Sequence, residues 1–302
     1  MIITLGNIVF GGKGNGGGAP AAYVVPDGMN FGYSTLTEFP SDDFDFSQKT
    51  NFDSAWNGCQ SLKEFPLLDL SKGISFNYTW QNCSSLTTFP EVDLSKGNSF
   101  YYTWANCSKL ASFPMLDLHN GTKFESSWRG CSSLTEFPMI DTSNGTNFSY
   151  AWYMCSKLTS LPALDLSKGT KFSSAWSSCS SLTTFPQVDL SNGTSFSYAW
   201  ANCSNLTSLP ALDLSKSTNF QGAWNYCSSI TTLGGFGAIS ADINLSSSTK
   251  LTVESIMNVI TQAADLNSLG ITGKTMKFGS TNLAKLTDEQ KAVATNKGWT
   301  LA

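Results

Sequence analysis

Apolar and polar positions along this chain keep neither the strand period nor the helix period for long; they keep a ruler of 24 residues. Each turn reads F-x-x-x-W-x-x-C-S-x-L-T-x-F/L-P-x-x-D-L-S-x-G, and one copy runs "FSYAWANCSNLTSLPALDLSKST". Tryptophan recurs from Trp56 to Trp224, cysteine from Cys59 to Cys227 and phenylalanine from Phe52 to Phe220, always in the same order. Proline holds its column from Pro66 to Pro210, aspartate from Asp45 to Asp213, and leucine from Leu62 to Leu206 with Ile230 after it. A repeat this regular predicts a solenoid, a mixed α/β coil of about eight to nine turns, each burying its apolar side against its neighbours.

Within a turn, Phe148, Trp152 and Cys155 fall four and then three residues apart, which predicts a helical or 3₁₀ turn; the alternative is a strand over "NFSYAW" with Phe148, Tyr150 and Trp152 on one face. "SKLTSLP", closed by proline, predicts a short strand, and "SKGT" or "SNGT" a turn whose glycine supplies a positive φ. The pattern dissolves after Cys227, as a terminal repeat that covers an open core should. In the tail, Ile256, Val259 and Ile260 predict a helix that Thr252 or Ser255 starts. Thr287 and Gln290 form a capping-box pair for another helix, with Gly298 at its end, and "KTMKFG" and "WTLA" read as strands. The expected organisation is a glycine-rich attachment segment over 1–35, the repeats over 36–233 and a helix–strand cap over 234–302.

Composition narrows the chemistry. Charged residues are 13% of the chain and the net charge is −4, so no basic field for nucleic acid or anionic lipid exists. No apolar run reaches the length of a membrane span. The eight cysteines stand 24 apart with one histidine, His119, in the whole chain, which fits neither a zinc site nor an activated thiol. They read as core packing, free and reduced. The aspartate column reads as a set of Asx-type turn contacts, with Lys72, Lys96, Lys168 and Lys216 nearby, rather than a calcium ladder. No phosphate loop, nucleophile elbow or acid–base pair is present, so neither an enzyme nor a cofactor is expected.

The N-terminus has an apolar start but no positive leader, and early glycines interrupt it; it reads as a segment that contacts another chain, not as a secretion signal. Tyrosine supplies the candidate contact surface. Tyr78, Tyr102, Tyr150 and Tyr198 share one column, two residues after the fixed phenylalanine, and Tyr101, Tyr153 and Tyr226 fall close by. Such rings either pack over the rim of the core or form a shallow aromatic strip for a glycan or a protein. Flanks of Asn, Ser and Thr suit neutral hydroxyl groups better than charged ligands.

The turn "FSYAWYMCSKLTSLPALDLSKGT" resembles the BspA-type leucine-rich repeat, over about residues 36–233. It departs from that pattern in placing Trp152 where an Ala-Phe pair is commoner and in keeping so strict a length. The tail from "LTVESIMNVI" to "KLTDEQKAVATNKGWTLA" is similar to the ends of BspA-like proteins encoded by phages of Bacteroides-like gut bacteria. The resemblance implies surface display with attachment or protein contact, and supplies no catalytic residues. The reading that follows is a phage virion protein of tail, baseplate or head appendage. It would dock other virion proteins through its N-terminal segment, within an oligomeric assembly, and meet a host glycan or protein. A bacterial cell-surface adhesin is the alternative.

Overall fold

A computed structural model describes residues 3–5, 8–10 and 21–302. The glycine-rich stretch 11–19, expected to contact another chain, lies outside the described residues. Strands β1 (Ile3–Leu5) and β2 (Ile8–Phe10) pair antiparallel. From β3 (Tyr23–Val24), which pairs parallel with β4 (Phe44–Asp45), each length of chain lies on the one before. Seven parallel bridges, from Asn51↔Ser75 to Ser195↔Asn219, join positions 24 residues apart, immediately before the phenylalanine column. Consecutive repeats are therefore stacked rungs in strict register.

The rung is not built as a helical turn. In rung 147–170, the N–H groups of Phe148, Tyr150, Trp152 and Met154 donate to the next rung, at Lys171, Ser173, Ala175 and Ser177 O, each at 2.9 Å. Those of Ala151, Tyr153 and Cys155 instead donate three residues back, to Phe148, Tyr150 and Trp152 O at 3.1 Å. Alternate amides thus serve the neighbour and the rung itself, satisfying the backbone without either a helix or a continuous strand. The cause is two left-handed residues per rung: Tyr150 at φ 58° and Met154 at φ 62° reverse the chain where a helix would continue. The expected strand in "SLTTFP" is reduced to two isolated bridges, Glu64↔Thr88 and Thr184↔Ser208, with none in the rungs between, and becomes regular in β5 (Ser208–Leu209) and β6 (Thr232–Leu233).

The turn glycines also differ from expectation. Gly145 has no positive φ; a Cβ there would stand 2.2 Å from Cζ of Phe148, so glycine clears room for the ring. Ser217 occupies this column in the last full rung, and the Phe196–Phe220 stack beside it widens to 6.1 Å against 5.2–5.7 Å elsewhere in the column.

The core is a ladder. Eight indoles from Trp56 to Trp224 stack at 5.4–6.0 Å with ring planes within 17° of parallel. Phe65, Phe89, Phe113, Phe137 and Phe185 set their rings edgewise against them. Seven of the eight indole N–H groups have no hydrogen-bond partner, a cost of about 1–3 kcal/mol each that the stacked area must outweigh. At one end Phe31 stacks on Trp56 at 6.1 Å, and at the other Phe236 stacks on Trp224 at 4.7 Å, so both ends are closed by a ring. All eight cysteines are free and buried. Each thiol from Cys83 onward donates to the tryptophan carbonyl of the preceding rung, as Cys155 Sγ does to Trp128 O at 3.2 Å; Cys59 uses Phe31 O instead. The aspartates make the expected turn contact, each accepting the N–H two residues on, from Ser47 at Asp45 to Ser215 at Asp213, at 2.9–3.1 Å.

The tail forms as its pattern predicts. Helix α1 (Val253–Gln262) starts on the Thr252 side chain and packs on β6, burying Ile256, Val259 and Ile260. Strands β7 (Ile243–Asn244), β8 (Thr275–Lys277) and β9 (Thr300–Leu301) form a parallel sheet. A short helix α2 (Ser280–Leu283) follows β8, and α3 (Asp288–Thr295) carries the Thr287–Gln290 capping box.

Trp152 is fully buried between Trp128 and Trp176, so Trp152→Ala should lower stability by about 3–5 kcal/mol, with faster amide exchange concentrated in the two adjoining rungs. A melting curve equal to the parent's would contradict the ladder. Burial also pushes the thiols of Cys131, Cys179 and Cys227 up to about 12. A raised value favours the protonated folded form, so this stability is whole below the ordinary thiol value of 9.0 and is lost as pH rises toward 12. Alkaline titration should therefore unfold the protein in that window, with the thiols reacting with an aromatic disulfide reagent only as circular dichroism is lost.

Candidate functional site

Two left-handed columns run along the stack, and their occupants differ. The column before cysteine holds Gly58, Asn82, Asn106, Gly130 and Asn202, residue types that adopt positive φ readily, together with Met154, Ser178 and Tyr226. The column two after phenylalanine holds Tyr78, Tyr102, Tyr150 and Tyr198 at φ 55–58°, with Ser54, Ser126, Ser174 and Gly222 in the other rungs. Any residue but glycine there costs about 1–2 kcal/mol, the serines as well as the tyrosines. Tyr150 and Tyr198 are 37% and 40% exposed and Tyr78 and Tyr102 half-buried, whereas Ser126 and Ser174 in the same column are buried.

Five of the seven sequence-predicted tyrosines come together. Tyr78 meets Tyr101 edgewise at 5.1 Å and stacks on Tyr102 at 5.5 Å, while Tyr101 and Tyr102 meet at 4.6 Å. Tyr150 meets Tyr153 edgewise at 5.7 Å. Arg129, which sequence reasoning missed, joins the groups: its guanidinium lies 6.0 Å from the ring centre of Tyr102 and 5.3 Å from that of Tyr153, and Nη1 donates to the Tyr102 hydroxyl at 3.4 Å. Tyr198 and Tyr226 stand apart. Tyr198 lies over Gly222, and Tyr226, in the other left-handed column and 68% exposed, makes no ring contact with the rest.

Alongside Tyr78 and Tyr101 a groove of about 520 Å³ runs across the rungs, from Asp53 to Lys171. Its polar walls come from the residues flanking the phenylalanine column. Asp53 accepts Ser75 Oγ at 2.6 Å and Asn77 N–H at 2.9 Å; Asn77 Oδ1 accepts Ser99 Oγ at 2.6 Å and Tyr101 N–H at 3.3 Å. Further along, Glu125 accepts Asn147 Nδ2 at 2.7 Å. Burial first, then neighbouring Tyr78 and Glu125, push the Tyr101 phenol upward, so it remains a protonated donor at neutral pH. Among the described residues no three His, Cys, Asp or Glu side chains are grouped to hold a metal ion. The arrangement offers ring faces, amides, carboxylates and amines, which can bind; it presents no nucleophile with a base beside it.

Tyr150→Asn should leave the fold intact and raise its stability by up to about 1 kcal/mol, because asparagine accepts the left-handed backbone at lower cost. Thermal melting decides it; a drop of several degrees would show that the ring supports the stack instead.

No protein-family profile matches the chain, and no curated protein does. Among solved structures the chain is similar to a leucine-rich cell surface protein from Faecalibacterium prausnitzii A2-165, at 14% identity and a TM-score of 0.32, over 83% of this chain and 84% of that one. It is likewise similar to a leucine-rich repeat protein from Bacteroides ovatus ATCC 8483, at 13% identity and a TM-score of 0.26, over 92% of each chain.

Proposed function

We propose that this protein is a non-enzymatic, surface-displayed binding solenoid of the leucine-rich-repeat type, and that the tyrosine face is where it meets its partner. The observation that carries the reading is the cluster itself: Tyr78, Tyr101 and Tyr102, and Tyr150 with Tyr153, joined through Arg129, gather five partly exposed rings. Tyrosine offers large contact area at small entropic cost, which suits an adhesive surface.

A bacterial cell surface is the better-supported setting. The description of the Faecalibacterium protein places that protein there, whereas the virion reading rests on the glycine-rich start and the tail resemblance.

The test replaces Tyr78, Tyr101, Tyr102, Tyr150 and Tyr153 together by serine, which other rungs already carry at 54, 149, 126, 174 and 177 in the same columns. Labelled wild-type protein should adsorb to intact bacterial cells or to immobilised mucin, and the variant should lose most of that binding while its melting stays near the parent's. Equal adsorption by both proteins would sink the tyrosine face as the contact.

A further inference from the structure

The groove beside Tyr78 and Tyr101 has features that identify the chemistry of an occupant, and this inference rests on the tyrosine face being the contact surface. It is long and narrow in the useful direction. Its lining begins in the rung of Asp53 and ends in that of Lys171, six rungs, which at about 4.8 Å a step is roughly 24 Å along the stack. A compact ligand would leave most of it empty; an extended chain would fill it.

Its charges cancel. Asp53 and Glu125 bring two carboxylates, Lys123 and Lys171 two ammonium groups, and neither amine is engaged in an ion pair or hydrogen bond among the described residues. A strongly acidic or basic chain would therefore meet as much repulsion as attraction. Neutral ligands carrying both donors and acceptors meet neither penalty.

The backbone beside the groove is already committed. Asn77 N–H goes to Asp53, Tyr78 N–H to Tyr101 O, Phe100 N–H to Lys123 O and Tyr101 N–H to Asn77 Oδ1. A peptide strand needs an open edge of such groups to pair with, and these offer none. What is offered is side-chain chemistry: carboxylate and amide oxygens fixed by their own hydrogen bonds, free ammonium groups, and two tyrosine rings meeting edgewise at 5.1 Å. Rings that stack on the C–H faces of a sugar, flanked by preset acceptors for its hydroxyls, form a carbohydrate site, and presetting lowers the ordering cost of binding. One rung step also matches the rise of one pyranose unit in an extended β-linked chain, so equivalent rung positions can address successive sugars.

We infer that this groove binds a neutral, extended polysaccharide lying parallel to the stack, with Tyr78 and Tyr101 stacking on its sugars and Asp53, Glu125 and Asn147 meeting their hydroxyls.

The experiment is affinity electrophoresis of the full chain in native gels cast with galactomannan, xyloglucan or mixed-linkage β-glucan, and with polygalacturonate as the anionic control. At least one neutral polymer should retard the protein, and polygalacturonate should not. Tyr78→Ser with Tyr101→Ser should weaken that retardation by about tenfold or more at unchanged melting, as removal of central aromatic anchors does. Asn147→Ala, further along the groove, should weaken binding of a hexasaccharide of the retarding polymer and leave that of its disaccharide unaltered. Migration unaffected by every neutral polymer, retardation that survives the double variant, or retardation by polygalacturonate alone would overturn the inference. If the five-tyrosine variant loses surface adsorption while neutral polymers never retard the wild type, the partner is a protein: the contact face stands and the polysaccharide falls.

Discussion

Parallel stacking of one tryptophan on the next is the constraint from which the rest of this structure follows. Rings at 5.4–6.0 Å with nearly parallel planes require every rung to return its indole to one place in one orientation. That demand is met by indoles spaced 24 residues apart from Trp56 to Trp224. It also explains why the core carries so few distinct residues. Cysteine recurs because a small side chain with a thiol can reach the tryptophan carbonyl of the preceding rung, and glycine recurs at 145 because the phenylalanine ring occupies the space of a Cβ.

With the interior so constrained, rung-to-rung variation is confined to the outside, and there the structure uses hydrogen bonds rather than ion pairs. Among the described residues three ion pairs occur, none between two residues of the tyrosine face or its groove. Lys168 and Lys216 instead donate to Asn144 and Asn192 of the rung before, and Thr146, Thr170 and Thr194 donate their hydroxyls to backbone carbonyls of the rung before. A surface joined this way is insensitive to salt and presents an even, hydroxyl-rich texture in which a cluster of rings is chemically distinct.

Much of this was legible from residue order. Trp, Cys, Phe and Asp columns declared the stacked rungs because identical rungs demand identical residues, and Thr287 with Gln290 announced α3 through capping chemistry that is local. The rung's internal path was not legible. Phe148, Trp152 and Cys155 share a side with helix-like spacing, yet left-handed residues at 150 and 154 produce that spacing by a different route. Asn82, Asn106 and Gly130 in the second column carried the signal for positive φ, whereas tyrosine in the first column disguised it. The groove was invisible for the opposite reason: Asp53, Asn77, Tyr101 and Glu125 occupy one column with four different residues, so no periodicity marks them, and only folding sets them side by side.

The two closing rings carry a consequence for the history of such a chain. Phe31 covers a tryptophan at one end and Phe236 covers another at the opposite end, and each would find the same indole beneath it whichever rung came last. Near-identical coding segments misalign easily during recombination, and an exchange in register adds or removes whole rungs while both closures remain fitted. Length is thereby a heritable variable that can change without passing through an unfolded intermediate design. A lineage can lengthen or shorten the stack in steps of one rung, keeping the same ends.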